Sequence, residues 1–324
     1  MTTPHPKNLA ASVRQRLLNH SAKTKQDFQV VLAQYGFERL LYRLGKSSYA
    51  GQFTLKGALM FLVWTDEQYR PTRDMDLTSR QKRTAVELQD LFREVCEVSV
   101  EDDGLILPAD TVKAELIRAE DDYGGMRVTL VGRLGQAKIP LQIDIGFGDA
   151  ITPRAVSGVF PVLLDFAAPR IPMYTRETTI AEKFHTIVVR GILNSRAKDY
   201  YDIWALCHES EFGGTILSKA IIATFRRRKT DLPVGVPVGL TDEFSSDTAK
   251  RTQWSAFIRR TPLRIVEQDL DVVVVTIRDF LMPPCVAAAT DKSFDLSWGK
   301  AGPWRKNDSG GYSGKLPSLA AGQE

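Results

Sequence analysis

Two aspartates separated by one residue, Asp74 and Asp76, are the side chains whose spacing first suggests chemistry. If the segment is a strand, successive side chains point to opposite faces. The two carboxylates then share one face, and Met75 and Leu77 share the other. Neighbouring carboxylates repel each other unless a cation or a proton neutralises the pair. The spacing is therefore typical either of half a metal site or of a solvated strand end that pairs with nearby arginines.

A third carboxylate, Asp144, lies within the apolar segment PLQIDIGFGD. Alternation puts Leu141, Ile143 and Ile145 on one face of this strand and Asp144 on the other. An aspartate among aliphatic neighbours needs a partner, because burial of an unpaired charge is costly. Carboxylates on neighbouring strands form an oxygen-rich site suited to Mg²⁺, which assists phosphoryl-type transfer. The three aspartates together predict a site for a hard cation.

Lys56 and Gly57 lie where a predicted strand turns into a predicted helix. Glycine lets another group approach the backbone closely, and the amides at a helix start attract anions. The pair indicates either a phosphate-binding turn or an ordinary strand–helix turn with a solvated lysine. The sequence has no Walker, HExxH or GxSxG motif, which argues against P-loop, zinc-protease and serine-hydrolase chemistry.

Two further charged positions lie on predicted helices of the second half. Lys183 is at the edge of the apolar stripe of ETTIAEKFHTIVVRG. Asp199 falls in the first turn of the next helix, where the helix dipole favours an acidic side chain. This structural role alone is sufficient to account for an aspartate at this position. Arg196 and Lys198 beside it offer charge for binding phosphate.

The overall pattern predicts an α+β fold in which a mixed sheet with flanking helices is followed by a helical half. Helical periodicity covers residues 7–46, and short strands alternate with helices over 50–165. After Pro283 and Pro284 the sequence is rich in small and polar residues, which is typical of disorder. We predict N-terminal helices at 1–50, a mixed-sheet core at 51–168, a helical domain completing the active cleft at 169–282, and a disordered tail at 283–324.

Composition is that of a well-cored globular protein. The 324 residues are 43% hydrophobic and 25% charged, with a net charge of +4 that permits nucleic-acid contact without indicating it. Three cysteines without a CxxC pair indicate reduced thiols. No signal-peptide core and no long aliphatic run stands out, so we expect a soluble cytoplasmic protein with no membrane partner.

Five motifs, taken in order, resemble the nucleotidyltransferase toxins of the AbiEii/AbiGii type: LKGALMF, YRPTRDMDL, PLQIDIGFGD, TTIAEKFHTIV and NSRAKDYYDIWAL. The resemblance covers roughly residues 30–260. It implies a DNA-polymerase-β-like nucleotidyltransferase fold and the toxin half of a type IV toxin–antitoxin or phage-abortive system. It also implies transfer of a nucleoside monophosphate from an NTP, with tRNA 3′ ends as acceptors in some members, Mg²⁺ or Mn²⁺ as cofactor, and a cognate antitoxin as partner.

The resemblance assigns catalytic roles residue by residue. Asp74 and Asp76 match the metal-binding DxD motif. Asp144 matches the third strand carboxylate, which binds metal and could orient or deprotonate the acceptor hydroxyl. Lys183 matches the lysine of the AEK motif, which would neutralise the triphosphate, and Asp199 matches the aspartate of the KDYYD motif.

The resemblance also implies a nucleotide-binding set of Lys56, Gly57 and Lys183. Lys56 and Gly57 match the turn that holds the nucleotide phosphates. Ala58 follows Gly57 where the wider superfamily has Gly-Gly or Gly-Ser, so backbone amides rather than a side-chain hydroxyl would contact phosphate there.

Two alternative functions stay open at this point. A glycosyltransferase also uses a DxD motif to hold a metal and a nucleotide sugar, although it does not need Asp144 or the helical Lys183 and Asp199. A non-catalytic RNA- or protein-binding module is compatible with the basic clusters at 226–229 and 259–260, although such runs are usually solvated faces.

Overall fold

The computed structural model describes residues 8–65, 70–117 and 124–306. Within these ranges the chain forms two units. The first unit contains the residues up to Thr175 together with Ile258–Val266, and the second contains Arg176–Phe257 and continues from Glu267. Each unit has its own arrangement of elements and is described by itself.

The described part of the first unit contains four α-helices, three of which begin at a side-chain cap. Asp27 accepts from two backbone amides at the start of the second helix, and Thr84 and Glu87 form a capping box at the start of the fourth. The helices are α1 (Leu9–Thr24), α2 (Phe28–Lys46), α3 (Met60–Thr65) and α4 (Ala85–Cys96).

The same unit contains one mixed sheet of eight strands. They are β1 (Phe53–Lys56), β2 (Met75–Ser79), β3 (Leu105–Ile106), β4 (Lys113–Ile117), β5 (Gly125–Leu134), β6 (Ala137–Phe147), β7 (Val156–Val159) and β8 (Arg170–Met173). The order is β3-β5-β6-β2-β1-β8-β7, and β4 pairs with β5. The pairs β2–β6 and β1–β8 are parallel and the others are antiparallel. The α+β prediction is confirmed.

Alternation along the central strands separates the core from the polar face. Met75 and Leu77 of β2 and Ile143 and Ile145 of β6 are fully or almost fully buried, whereas Asp76 is only partly buried. Helix α2 packs against β6 and β8, and apolar residues of α1 and α2 belong to the same hydrophobic core as the sheet. The N-terminal helices therefore complete the sheet unit instead of forming a separate domain at 1–50.

The predicted boundary between residues 168 and 169 also differs from the structure. Strand β8, at Arg170–Met173, pairs in parallel with β1 and antiparallel with β7, so it belongs to the first sheet. Pro169 directly precedes this strand, and the second unit begins at Arg176.

The second unit is mainly helical. Its helices are α5 (Arg176–Arg190), α6 (Ala197–Glu209), α7 (Gly214–Arg227), α8 (Asp242–Ser246), α9 (Thr248–Arg260) and α10 (Leu270–Ala289). The last three residues of α9, from Ile258, belong to the first unit. A small antiparallel sheet is formed by β9 (Phe212–Gly213), β10 (Leu296–Trp298) and β11 (Trp304–Lys306). Helix α7 packs against both α5 and α10.

The predicted disorder of the tail is wrong for residues 283–306. Pro283 and Pro284 lie inside α10, although a helical proline removes one hydrogen bond and crowds the carbonyl four residues earlier. For Pro284 that carbonyl is on Phe280, and it accepts instead from the indole N–H of Trp304 at 3.0 Å. The Trp304 and Phe280 rings also stack, so the tail itself compensates the break. Residues 307–324 lie outside the described residues.

Helix α10 is the one helix in the described ranges that is long and apolar enough to cross a membrane. It packs against α6, α7 and α8, and Val273, Val274, Ile277 and Leu281 are buried in that packing. This arrangement is typical of a core helix, so the length of α10 gives no evidence for a membrane partner.

Candidate active site

A row of charged residues crosses four neighbouring strands on the polar face of the first sheet. Lys56 in β1 is the register partner of Asp76 in β2, Asp76 is the partner of Asp144 in β6, and Asp144 is the partner of Arg127 in β5. Residues directly opposite each other on adjacent strands share a face. The row therefore reads positive, negative, negative, positive, and it brings together three of the residues predicted to form the site.

Gly57, immediately after the row, has a backbone conformation that suits glycine. Its φ is +74°, and the Asp76 carboxylate occupies the space that a Cβ would fill. A larger residue would be strained at this φ, and its Cβ would displace the carboxylate. The turn at Gly57 and the Asp76 carboxylate therefore lie in direct contact.

Asp74 lies one residue before β2. Its carboxylate accepts from the hydroxyl of the buried Thr72 at 2.6 Å. Its charge also helps to raise the pKa of Arg127, where the hydrogen bonds to Asp144 are the largest cause. Asp74 therefore lies close enough to Arg127 for their charges to interact.

Arg127 holds Asp144 with two parallel hydrogen bonds. Its Nε and Nη2 donate to Oδ1 and Oδ2 of Asp144, both at 2.8 Å. The two side chains are 33% and 20% exposed, so the pair is partly accessible to solvent. The predicted third carboxylate thus lies beside Asp76 with both of its oxygens engaged.

A second charge pair lies beside the Gly57 turn. Lys56 Nζ donates to Asp149 Oδ2 at 2.6 Å, and the hydroxyl of Tyr174 donates to the same oxygen at 2.9 Å. Burial alone would raise the pKa of Asp149, but the Lys56 charge and the hydrogen bonds lower it to about 2. Gly146 leaves room for this contact, since a Cβ there would lie 3.3 Å from Asp149 Oδ2. Lys56 is therefore fixed by Asp149 and is not a solvated lysine.

The donor chemistry of the first unit fits a divalent cation, but the carboxylates are not fully assembled around one point. Asp74, Asp76 and Asp144 supply the oxygen ligands that Mg²⁺ or Mn²⁺ prefers. In the ranges that the structure describes, no three acidic, histidine or cysteine side chains come close enough to form a ready metal site. Asp144 in particular is paired with Arg127.

The second unit contains a buried ion cluster around Lys183. Its amine lies 2.8 Å from Asp199 Oδ1 and 2.8 Å from Asp202 Oδ2, and these carboxylates are 2% and 0% exposed. Arg196 Nε also donates to Asp199 at 2.7 Å. Burial raises the pKa of Asp199, but the charges of Lys183 and Arg196 outweigh it and lower the pKa. Lys183 and Asp199 are thus direct partners, a role that the helix dipole alone did not predict.

The sequence matches one protein family over most of its length. The family described as "Nucleotidyl transferase AbiEii toxin, Type IV TA system" matches residues 39–274, which include every predicted site residue. The chain belongs to the AbiEii nucleotidyltransferase toxin family. Membership makes it a transferase of the nucleotidyltransferase class and implies an NTP substrate and a cognate antitoxin. A comparison with curated protein sequences gave no match.

The solved structures that match this chain come from proteins of low sequence identity. A candidate nucleotidyltransferase from H. pylori shares 15% identity over 83% of this chain and 97% of that chain, with a TM-score of 0.43. JHP933 from Helicobacter pylori shares 13% identity over 79% and 95%, with a TM-score of 0.42. An antigenic nucleotidyltransferase-like protein from Paracoccidioides brasiliensis shares 13% over 84% and 94%, with a TM-score of 0.29. The AbiEii family match is the basis of the functional conclusions.

Three residues that contact the predicted site residues of the first unit were not predicted from the sequence of this AbiEii chain. Arg127 could have been found, because counting back along both strands from the turn at Gly135 pairs it with Asp144. Asp149 lies in the loop after β6, where no periodicity reports on a side chain, and Tyr174 contacts it only through the tertiary fold.

Proposed function

We propose that this AbiEii-family protein is a metal-dependent toxin that transfers a nucleoside monophosphate from an NTP to a hydroxyl of an RNA 3′ end, with tRNA as the first acceptor to test. The observation that carries the proposal is the position of Asp76. It lies between Asp144 and Lys56 in the strand register and directly against the Gly57 turn. Family membership favours this chemistry over a nucleotide-sugar glycosyltransferase or a non-catalytic binding module.

The proposed reaction is an in-line displacement at the α-phosphorus. The acceptor oxygen forms a bond to this phosphorus, the bond to the β-phosphate oxygen breaks, and pyrophosphate leaves. We assign the proton of the acceptor hydroxyl to Asp144. A bound Mg²⁺ or Mn²⁺ would supply positive charge for the phosphate oxygens, and Asp74, Asp76 and Asp144 would hold it.

The turn at Gly57 supplies the other half of the proposed nucleotide site. Backbone amides at the start of the short helical segment after Gly57 are suited to phosphate oxygens, and the absent Cβ permits close approach. Lys56 adds a positive charge whose position Asp149 fixes at 2.6 Å. Fixed charges act on developing negative charge without further reorganisation.

Lys183 and Asp199 keep their implied catalytic roles as separate predictions. The ion pair at 2.8 Å between them is consistent with Asp199 fixing the lysine amine. A cytoplasmic location also remains a prediction. Family membership and the packing of α10 do not identify a cellular compartment.

The decisive experiment follows labelled phosphate from NTP to RNA. Purified protein is incubated with each α-³²P-labelled NTP, Mg²⁺ and either total RNA or purified tRNA, and the products are separated on a denaturing gel. We expect label on RNA with wild type, none in excess EDTA, and none with Asp76→Asn. Asp110→Asn, a matched change at an exposed aspartate, should keep full transfer.

Two outcomes would contradict the proposal. Transfer from γ-labelled but not α-labelled NTP would indicate a phosphotransferase, and wild-type labelling by Asp76→Asn would remove the metal assignment. The toxin role has its own test, since expression of wild type should slow growth and Asp74→Asn should relieve it. Growth inhibition that persists undiminished with Asp74→Asn would indicate toxicity through binding alone.

A further inference from the structure

Arg127 is the cation directly opposite Asp144 in the strand register, and it uses both oxygens of that carboxylate. The two bonds at 2.8 Å form the planar, bidentate arrangement that guanidinium and carboxylate groups prefer. A carboxylate held in this way has its main ligand directions occupied. If Asp144 is to bind a divalent cation, it must give up at least part of this contact.

The environment of Arg127 makes such an exchange feasible. Glu115 in β4 lies directly opposite Arg127, and its charge, like that of Asp74, acts on the guanidinium. Arg127 therefore has a second carboxylate beside it when Asp144 turns away. The Arg127–Asp144 pair is also partly exposed, so water reaches both side chains and screens the attraction between them. A divalent cation can then compete with the guanidinium for Asp144.

We propose that Arg127 is an internal competitor of the divalent cation at Asp144, so that it neutralises the acidic pair in the metal-free protein and sets how tightly the metal binds. This inference rests on the proposed function, because it assumes that Asp144 is a metal ligand. In this proposal Arg127 regulates metal binding from β5, a strand that none of the five family motifs covers.

A purely structural role for Arg127 gives different expectations. An ion pair that only joins β5 to β6 would change the stability of the sheet when removed, and the cation affinity would stay the same. A pair that instead orients Asp144 for the metal would make cation binding weaker when removed, as supporting residues around metal ligands do. Competition is the one role for which the loss of Arg127 strengthens binding through Asp144.

The test is a titration of the full-length chain with Mn²⁺ in the absence of nucleotide. Binding is measured by isothermal titration calorimetry and by the electron paramagnetic resonance signal of free Mn²⁺. For Arg127→Met we expect a dissociation constant about 3- to 10-fold lower than that of wild type, which corresponds to about 0.7–1.4 kcal/mol. Arg133→Met is the matched control. It removes the same charge from the same strand at an exposed position and should leave the affinity unchanged.

Two further variants separate competition from simple charge. Arg127→Lys keeps the positive charge but loses the bidentate fork, so it should bind Mn²⁺ more tightly than wild type and less tightly than Arg127→Met. Adding Asp144→Asn to Arg127→Met should abolish the gain. Arg127→Lys also serves if Arg127→Met does not fold, which a melting curve in EDTA would reveal.

The outcomes distinguish this inference from the function on which it rests. Equal or weaker Mn²⁺ binding by the folded Arg127 variants, with saturable binding by wild type, would overturn the competitor role and leave the proposed function standing. A gain that survives Asp144→Asn would also overturn it, because the effect would then not pass through Asp144. An absence of saturable binding in every variant, including wild type, would overturn both.

Discussion

Replacement of Lys183 by methionine should destabilise the second unit by about 3 kcal/mol. The lysine amine contacts Asp199 and Asp202 at 2.8 Å each, and both carboxylates are almost completely buried. Methionine preserves the length and the apolar stem of the side chain but removes the charge. The two carboxylates then lose their shared ammonium while they stay in a poorly solvated position.

The magnitude follows from the burial of the cluster. Removal of one partner from a buried ion pair costs about 3–5 kcal/mol, chiefly because the remaining charge stays desolvated. We expect the lower end, since Arg196 still contacts Asp199 at 2.7 Å. For a unit of this size, about 3 kcal/mol corresponds to a fall of roughly 6–12 °C in Tm.

The effect of Lys183→Met should depend on pH with a defined sign. In wild type the pKa of Asp199 is lower in the folded state than in the unfolded state. The ionised carboxylate therefore stabilises the fold above the unfolded-state pKa of about 3.9, and this stabilisation is lost as pH falls through the folded-state pKa. Without Lys183, burial opposes ionisation and the folded pKa rises. The deficit of the variant should therefore be largest at pH 7 and shrink towards pH 4.

Urea denaturation followed by tryptophan fluorescence measures this effect, because Trp204, Trp254 and Trp298 all lie in the second unit and are buried. Arg196→Gln is the control. Its side chain is 43% exposed, so its loss should cost less than about 1 kcal/mol. A deficit for Lys183→Met no larger than that of Arg196→Gln would refute the burial argument.

The same measurement decides how activity data on Lys183 are to be interpreted. The role implied for this lysine in transfer predicts a loss of at least about tenfold in kcat/KM, or about 1.4 kcal/mol of transition-state stabilisation. Such a loss supports a chemical role only at a temperature and pH at which the variant is shown to be folded. Asp202→Asn, added to Lys183→Met, should restore part of the stability and none of the transfer.

Three other changes test separate parts of the two units. Gly57→Ala should leave a folded protein that has lost transfer, because φ is +74° and the new Cβ displaces the Asp76 carboxylate; wild-type transfer would contradict this. Glu38→Gln tests a carboxyl whose pKa burial raises to about 7 from 4.5. Wild-type stability should fall between pH 5 and 7, because the folded state keeps a proton that the unfolded state has lost, and urea denaturation of Glu38→Gln should lack this slope. Trp304→Ala removes the donor to Phe280 and should lower the free energy of unfolding by about 2 kcal/mol or more, and an unchanged urea denaturation curve would contradict this.

Much of the first unit could be predicted because its information is local. The alternation of Asp74, Met75, Asp76 and Leu77 fixes which face is buried, and this holds whatever the strand pairs with. The position of Gly57 between a strand and a helix likewise identifies the turn. These features depend on residues within a few positions of each other.

The parts that the sequence did not predict depend on distant partners. Asp199 is explained locally by a helix start, but its main partner is 16 residues earlier. Pro283 and Pro284 are local signals for the end of a helix, yet a tryptophan 24 residues beyond Phe280 compensates the freed carbonyl. A pattern within one segment cannot report such contacts, because they form only when separate segments fold together.

The discontinuity of the first unit has a consequence for its synthesis on the ribosome. Ile258–Val266 belongs to that unit, but it emerges only after Arg176–Phe257 has been made. At about 5–20 residues per second, the intervening stretch of about 80 residues takes on the order of 4–16 s. During this time the nascent chain contains the whole row of charged residues in the sheet, but the first unit still lacks the nine residues Ile258–Val266. A polypeptide released early, anywhere between residues 176 and 257, would therefore lack part of the first unit, and that unit is complete only when most of the chain has been translated.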